Sequence, residues 1–151
     1  MSWSLRRGLS AAVAAIDDGN YDSADQILTD VLAKNAEAVE ALIHRAYARQ
    51  RAGKLAEAKM DAIKACSLRP ENGVFYMILG EVQLALNENT AAYDSLKKSV
   101  SLERDNGRAL YHLGRACLAT GKTEEAGDFF ESALQFERDY VTAQWMARRI
   151  S

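Results

Sequence analysis

Side chains that could perform acid–base, nucleophilic or metal chemistry are sparse in this chain of 151 residues. Its two histidines are His44 and His112, and its two cysteines, Cys66 and Cys117, do not have the short spacing of a metal site. The chain also lacks a glycine-rich phosphate loop, a Walker sequence, a nucleophile elbow and a His-Glu-x-x-His motif. The sequence therefore predicts that the protein is not an enzyme and holds no cofactor and no metal.

The overall composition is that of a nearly neutral globular protein. Nineteen Lys and Arg against 21 Asp and Glu give a net charge of −2, and 48% of the residues are hydrophobic. This balance argues against a nucleic-acid partner, which selects for basic surfaces. No apolar run approaches the roughly 18 residues of a membrane span. We expect a cytoplasmic protein with reduced thiols and no direct membrane insertion. The single proline, Pro70, and abundant alanine favour an all-helical chain.

A 34-residue period runs through the sequence without insertion. Segments 19–24, 53–58, 87–92 and 121–126 align with one another. Small residues recur at three fixed positions of each copy, which allows two helices to approach to roughly 8–10 Å. These positions are Ala24, Ala58, Ala92 and Ala126; Ala12, Ala46, Gly80 and Gly114; and Val31, Ala65, Ser99 and Ala133. The period therefore predicts antiparallel helix pairs that stack on one another.

This period and these small positions resemble the tetratricopeptide repeat (TPR) family over nearly the whole chain. The resemblance implies an all-α fold, a right-handed α-solenoid of antiparallel helix pairs, as a single domain 1–151. The implied repeats are 5–38, 39–72, 73–106 and 107–140, followed by a capping helix at 141–151. The helices are predicted near 5–18, 21–34, 39–52, 55–68, 73–86, 89–102, 107–120, 123–136 and 141–150.

Turn residues support these boundaries. Within the repeats, the first helices are expected to end at Gly19, Gly53, Asn87 and Gly121, because glycine and asparagine accept a left-handed backbone conformation. Between repeats, Pro70 ends one helix, whereas the other junctions lack the family's proline. The first repeat departs furthest from the family. It has Gly8, Ala11 and Ala15 where the family has a large aromatic residue, a leucine and a tyrosine.

The repeat also separates the residues that could do chemistry. His44 and His112 occupy equivalent positions two repeats apart, a distance on the order of 20 Å, so they cannot share a metal. Cys66 and Cys117 have a whole repeat between them, which exceeds the roughly 7 Å Cα separation that a disulfide allows. We expect two free thiols in the core.

In the TPR family the first helices of the repeats line an inner, concave groove that binds peptides. The resemblance therefore implies a protein–protein interaction scaffold or adaptor whose partner is a protein or peptide. It also places Leu9, Val13, Val74 and Leu118 on the wall of this groove. The implied groove residues are Ile43, His44, Tyr47, Met77, Ile78, Glu81, Arg108, Tyr111, His112, Arg115, Trp145 and Arg149.

The chemistry of these groove positions suggests a ligand. Five groove positions that are ordinarily polar are apolar here: Val74, Met77, Ile78, Tyr111 and Trp145. They predict an exposed apolar patch, unless a neighbouring helix or a second copy of the chain covers it. Because arginines outnumber the single groove acid Glu81, we expect a ligand with apolar anchors flanked by acidic residues. The alternative function is a structural assembly subunit, a homo-oligomer that self-associates through the same wall or an open end of the solenoid. A regulatory module of a larger protein is a third class.

Two arginines occupy positions that normally pack inside a repeat. Arg45 and Arg49 both lie in the predicted third helix. We expect them to pair with acidic residues of an adjacent helix, since buried guanidinium groups need a partner. The alternative is that they form an anion site.

Overall fold

A computed structural model of the chain describes residues 2–136. Over this range the chain forms eight helices and no strand. The helices are α1 (Trp3–Asp17), α2 (Tyr21–Lys34), α3 (Val39–Arg51), α4 (Leu55–Leu68), α5 (Gly73–Ala85), α6 (Asn89–Leu102), α7 (Gly107–Ala119) and α8 (Thr123–Phe136). The predicted all-α fold is confirmed, and α1 to α8 lie close to their predicted bounds. The predicted capping helix lies outside the described residues. None of the described helices is long and apolar enough to cross a membrane.

The helices group into two compact units. Unit 1, Met1–Glu71, contains α1 to α4, and unit 2, Asn72–Ser151, contains α5 to α8. In unit 1, α1 packs on α2 and α3 on α4, while α3 also contacts α2 and α1. In unit 2, α5 packs on α6 and α7 on α8, while α7 also contacts α6 and α5. Each unit is therefore built from two successive helix pairs.

The small residues of the 34-residue period lie where paired helices touch. Ala24, Ala58 and Ala92 have no exposed surface. A Cβ atom on Gly80 would lie 2.5 Å from Cγ of Leu96 in α6, which leaves no room for even a methyl group. Gly114 approaches the ring of Phe130 in α8 equally closely. Small side chains at these positions therefore set the close approach of each helix pair.

The turns within the repeats use the backbone conformation that the sequence predicts. Asn87 has a φ of +61°, and the three equivalent glycines have φ values from +78° to +84°. After α5, the N–H of Glu88 donates to the carbonyl of Gln83 at 2.9 Å. This bond caps free carbonyl groups at the end of the helix, as in a Schellman motif.

Asparagines begin the first helices of unit 2. Oδ1 of Asn72 accepts a hydrogen bond from the N–H of Phe75 at 3.2 Å, and Oδ1 of Asn106 accepts one from Ala109 at 3.0 Å. These N-caps satisfy amides that have no partner inside the helix. They explain how α7 begins sharply at a junction without the family's proline.

A network of buried ion pairs joins three helices of unit 1. Arg45 of α3 donates two hydrogen bonds of 2.8 Å to the carboxylate of Asp61 in α4. Arg49 donates to Asp61 at 3.0 Å and to Asp25 of α2 at 3.1 Å. Arg45 also reaches Oγ1 of Thr29 at 3.2 Å. The predicted pairing with adjacent helices is confirmed. The anion-site alternative is wrong, because both guanidinium groups already donate to carboxylates.

The network keeps Asp25 and Arg45 ionised. Burial by itself would raise the pKa of Asp25, but the hydrogen bond and the charge of Arg49 outweigh burial and hold this pKa below its ordinary value. The hydrogen bond from Arg45 to Asp61 raises the pKa of Arg45. Arg45 and Asp25 are therefore charged at neutral pH.

Both cysteines are free and buried. Cys66 is 5% exposed and Cys117 has no exposed surface. Burial raises the pKa of the Cys66 thiol to about 12 and also raises that of Cys117. Because the thiolate is the reactive form, both residues act as small core side chains at neutral pH.

Candidate functional site

The predicted groove positions form one face in each unit. The unit 1 face comprises Leu9 and Val13 of α1 with Ile43, His44 and Tyr47 of α3. The unit 2 face comprises Val74, Met77, Ile78 and Glu81 of α5 with Arg108, Tyr111, His112, Arg115 and Leu118 of α7. The two helices that form each face are in contact. Trp145 and Arg149 lie outside the described residues.

Glu81 is the centre of a charged cluster on the unit 2 face. Its side chain is 4% exposed. Nη2 of Arg108 donates a 2.8 Å hydrogen bond to Oε2 of Glu81, and Nε of the same arginine lies 2.8 Å from Oε1. Nε2 of His112 lies 3.3 Å from Oε1. Arg108 and His112 are one turn apart on α7, so one face of that helix brings both to the same carboxylate.

The hydrogen bonds of His112 assign its tautomer. Nη1 of Arg115 lies 3.3 Å from Nδ1 of His112. A guanidinium group only donates hydrogen bonds, so Nδ1 must accept and the ring proton lies on Nε2, facing Glu81. The result is a cluster in which Arg115 donates to His112, Nε2 of His112 faces Glu81, and Arg108 donates to Glu81.

Three apolar side chains of the unit 2 face are buried. The exposed fractions of Met77, Ile78 and Tyr111 are 5%, 8% and 4%. The ring of Tyr111 packs 5.7 Å from that of Phe130 in α8, and Sδ of Met77 accepts a hydrogen bond of 3.6 Å from Asn106. The prediction of an exposed apolar patch is wrong for these three residues. Tyr111 belongs instead to a core cluster with Leu110, Ala133, Val100, Phe129 and Phe130.

Other residues of the unit 2 face remain accessible. Val74 near the start of α5 is 37% exposed, and Leu118 near the end of α7 is 49% exposed. Arg108 and Arg115 are half-buried. The surface available to a partner therefore combines two separated apolar side chains with two arginines. The sequence predicted both arginines as groove residues. It did not predict their contacts with Glu81 and His112.

The unit 1 face is less charged. Ile43 is buried, while His44 and Tyr47 are half-buried. Burial lowers the pKa of His44, although the nearby Glu40 carboxylate opposes this effect. His44 is therefore neutral at pH 7. Val13 of α1 is 37% exposed and borders a shallow depression of about 450 Å³ on that helix.

The geometry of the described residues favours noncovalent recognition. Within residues 2–136, no three His, Cys, Asp or Glu side chains come together as ligands for a metal ion. The unit 1 face has the half-buried Tyr47, and the unit 2 face has the half-buried Arg108 and Arg115. Tyrosine and arginine are enriched in protein interfaces.

Paired helices at a 34-residue interval, with small side chains at each contact, define a helical-repeat protein. Tetratricopeptide repeat models match residues 9–65 and 83–149. The chain belongs to the tetratricopeptide repeat family. Its repeats are generally protein–protein interaction modules and are typically not catalytic.

Solved structures show the same fold. A crystal structure of MamA is 23% identical to this chain, with a TM-score of 0.77 over 84% of this chain and 74% of MamA. MamA from Desulfovibrio magneticus RS-1, residues 41 to the end, is 20% identical with a TM-score of 0.82, over 91% and 78%. The thermophilic TPR protein TTC0263 of Thermus thermophilus is 21% identical with a TM-score of 0.79, over 89% and 75%. No curated protein matches the chain significantly. At these identities the likeness concerns the fold alone.

Proposed function

We propose that this chain is a scaffold or adaptor that binds a peptide segment of a partner protein on the unit 2 face. The observation that carries the proposal is the charged cluster in which Arg115 contacts His112 while His112 and Arg108 both lie against the carboxylate of Glu81. A buried ion pair contributes little net stability, because removing charges from water offsets much of their attraction. A rigid set of charges does suit recognition, since the side chains are already held in place when the ligand arrives.

The ligand that this face would select has apolar anchors near acidic residues. Arg108 binds the Glu81 carboxylate and Arg115 contacts His112 beside it, so the cluster holds two arginines and one acid and favours an anionic group. Val74 and Leu118 offer apolar contacts at either end of the face. Met77, Ile78 and Tyr111 are buried. Val74 and Leu118 therefore take the anchoring role that the sequence analysis gave to those three residues.

Charge reversal of Arg115 tests this proposal. Peptides selected from a random display library on the purified chain provide the probes, and fluorescence anisotropy measures their binding at several salt concentrations. We expect Arg115→Glu to weaken binding on the order of tenfold and to reduce its salt dependence, because a favourable charge contact is lost.

The matched control is Lys98→Glu, which reverses an exposed charge on the second helix α6. It should leave peptide affinity within about twofold of the parent, since an exposed distant charge is largely screened. Circular dichroism must show that both variants keep the parent's helix content. Loss of binding in Lys98→Glu but not in Arg115→Glu would move the site to the second helices.

Self-association through an open end of the repeat array is the second candidate function. It is favoured by a specific observation, the tryptophan Trp3 on α1, which is 72% exposed.

A further inference from the structure

The first helix pair leaves an open cleft on its surface. The cleft has a volume of about 630 Å³ and lies between the N-terminal half of α1 and the C-terminal half of α2. Gly8 and Ala11 line it from α1, and Ile27 and Val31 line it from α2. Gly8 touches α2 so closely that a Cβ atom would lie 2.6 Å from Cγ2 of Val31. The cleft exists because small residues replace the large side chains that the family places in this pair.

A large apolar side chain stands at the rim of this cleft. Trp3 occupies the first turn of α1, where Oγ of Ser2 caps the helix by accepting the N–H of Leu5 at 3.2 Å. The guanidinium of Arg7 lies 5.2 Å from the centre of the indole ring, on the same side of α1. The indole is nevertheless 72% exposed. Buried tryptophan is among the strongest contributors to protein interfaces, so its exposure beside an apolar cleft marks a contact surface.

A basic and an acidic residue lie on opposite walls of the cleft. Arg7 follows Trp3 by one helical turn on α1. On the other wall, Asp30 is exposed on α2, with Lys34 one turn after it. An indole that entered the cleft from another molecule would bring its own Arg7 to the side of the cleft that carries Asp30.

We infer that the occupant of this cleft is Trp3 of a second copy of the chain. The projecting Trp3 and the cleft lie on the same surface. Two copies related by a two-fold axis therefore each place Trp3 in the cleft of the other and form two Arg7–Asp30 pairs. This inference rests on the second candidate function, self-association, and gives it a contact surface. It is independent of peptide binding on the unit 2 face.

The size of the contact sets the strength of the dimer. A tryptophan buries up to roughly 250 Å². Two indoles and the cleft walls that they cover therefore bury roughly 600–1,000 Å² in total, below the 1,200–2,000 Å² typical of a stable interface. The dimer is accordingly weak and reversible, and it forms as the protein concentration rises.

Sedimentation velocity of the whole chain over a range of micromolar concentrations tests the inference. The weight-average mass of the parent should rise towards that of a dimer. Trp3→Ala removes the inserted indole and Ala11→Leu fills the cleft, so each should weaken dimerisation by at least about tenfold. Both positions are exposed on α1, so the helix remains intact. Met60→Ala is the matched control, because Met60 is 71% exposed on α4 and lies outside the cleft. It should dimerise like the parent.

A charge exchange identifies the occupant as a second copy. Arg7→Glu and Asp30→Arg should each weaken the dimer, whereas the double variant should restore it, because the ion pair re-forms with reversed polarity. A parent that is monomeric at every concentration would overturn both the inference and self-association itself. A dimer that persists in Trp3→Ala, or single charge variants that the double variant fails to rescue, would overturn this contact surface alone.

Discussion

Replacing Arg45 with methionine should lower the free energy of unfolding by about 3–5 kcal/mol. The substitution removes the two 2.8 Å hydrogen bonds to Asp61, whose side chain is 7% exposed, and leaves that carboxylate with Arg49 as its remaining arginine partner. Methionine keeps most of the aliphatic volume, so the loss reflects the two missing charged hydrogen bonds to the buried Asp61 carboxylate rather than a cavity. Urea denaturation followed by circular dichroism measures the difference.

Two comparisons isolate the charge effect. Lys98→Met, on an exposed position of α6, should change stability by no more than about 0.5 kcal/mol. The double variant Arg45→Met with Asp61→Leu should recover most of the loss, because the buried carboxylate that lost its hydrogen bonds is gone and Arg49 keeps its contact with Asp25. A single Arg45→Met variant as stable as the parent would contradict the buried network.

Tyr111→Ala should also be strongly destabilising, by about 3–5 kcal/mol, a magnitude typical of removing a buried aromatic side chain. Its ring lies in the core of unit 2 against Phe130 and Ala133, and only 4% of the residue is exposed. Val74→Ala is the matched control on the same face. Since Val74 is 37% exposed, its truncation should lose no more than about 1 kcal/mol.

The comparison separates two roles for Tyr111. Truncating a core residue lowers the unfolding midpoint whether or not the peptide ligand is present. If Tyr111→Ala unfolds like Val74→Ala and yet abolishes peptide binding, Tyr111 is an exposed anchor and the packing described for α7 and α8 is incorrect.

The fold could be predicted because its signals are local and repeat. The alanines at 34-residue intervals and the left-handed turn at Asn87 depend on contacts within one helix pair, so each copy carries the same information. The N-caps Asn72 and Asn106 were missed, although an asparagine just before a helix is a recognised signal. They specify the starts of α5 and α7, and the junction before α7 has no proline.

The candidate site was harder to predict, because exposure depends on neighbouring side chains. The family pattern assigns Tyr111 to the groove, but the large ring of Phe130 on α8 completes a cluster that buries it. The pairing of Arg45 was predicted from the need to neutralise a buried charge, yet nothing in the sequence selected Asp61. The link between Glu81 and His112 was likewise missed, because a repeat pattern places each residue on a face without giving distances across it.

Site-specific photo-crosslinking tests the central claim, that the unit 2 face binds the partner, most directly. A photo-reactive phenylalanine analogue replaces Leu118, which is 49% exposed on that face, or Glu131, which is exposed on the second helix α8. With a peptide selected on the parent chain, we predict a crosslinked product from position 118 and none from position 131. Crosslinking from position 131 alone would contradict the assignment of the binding face to the first helices.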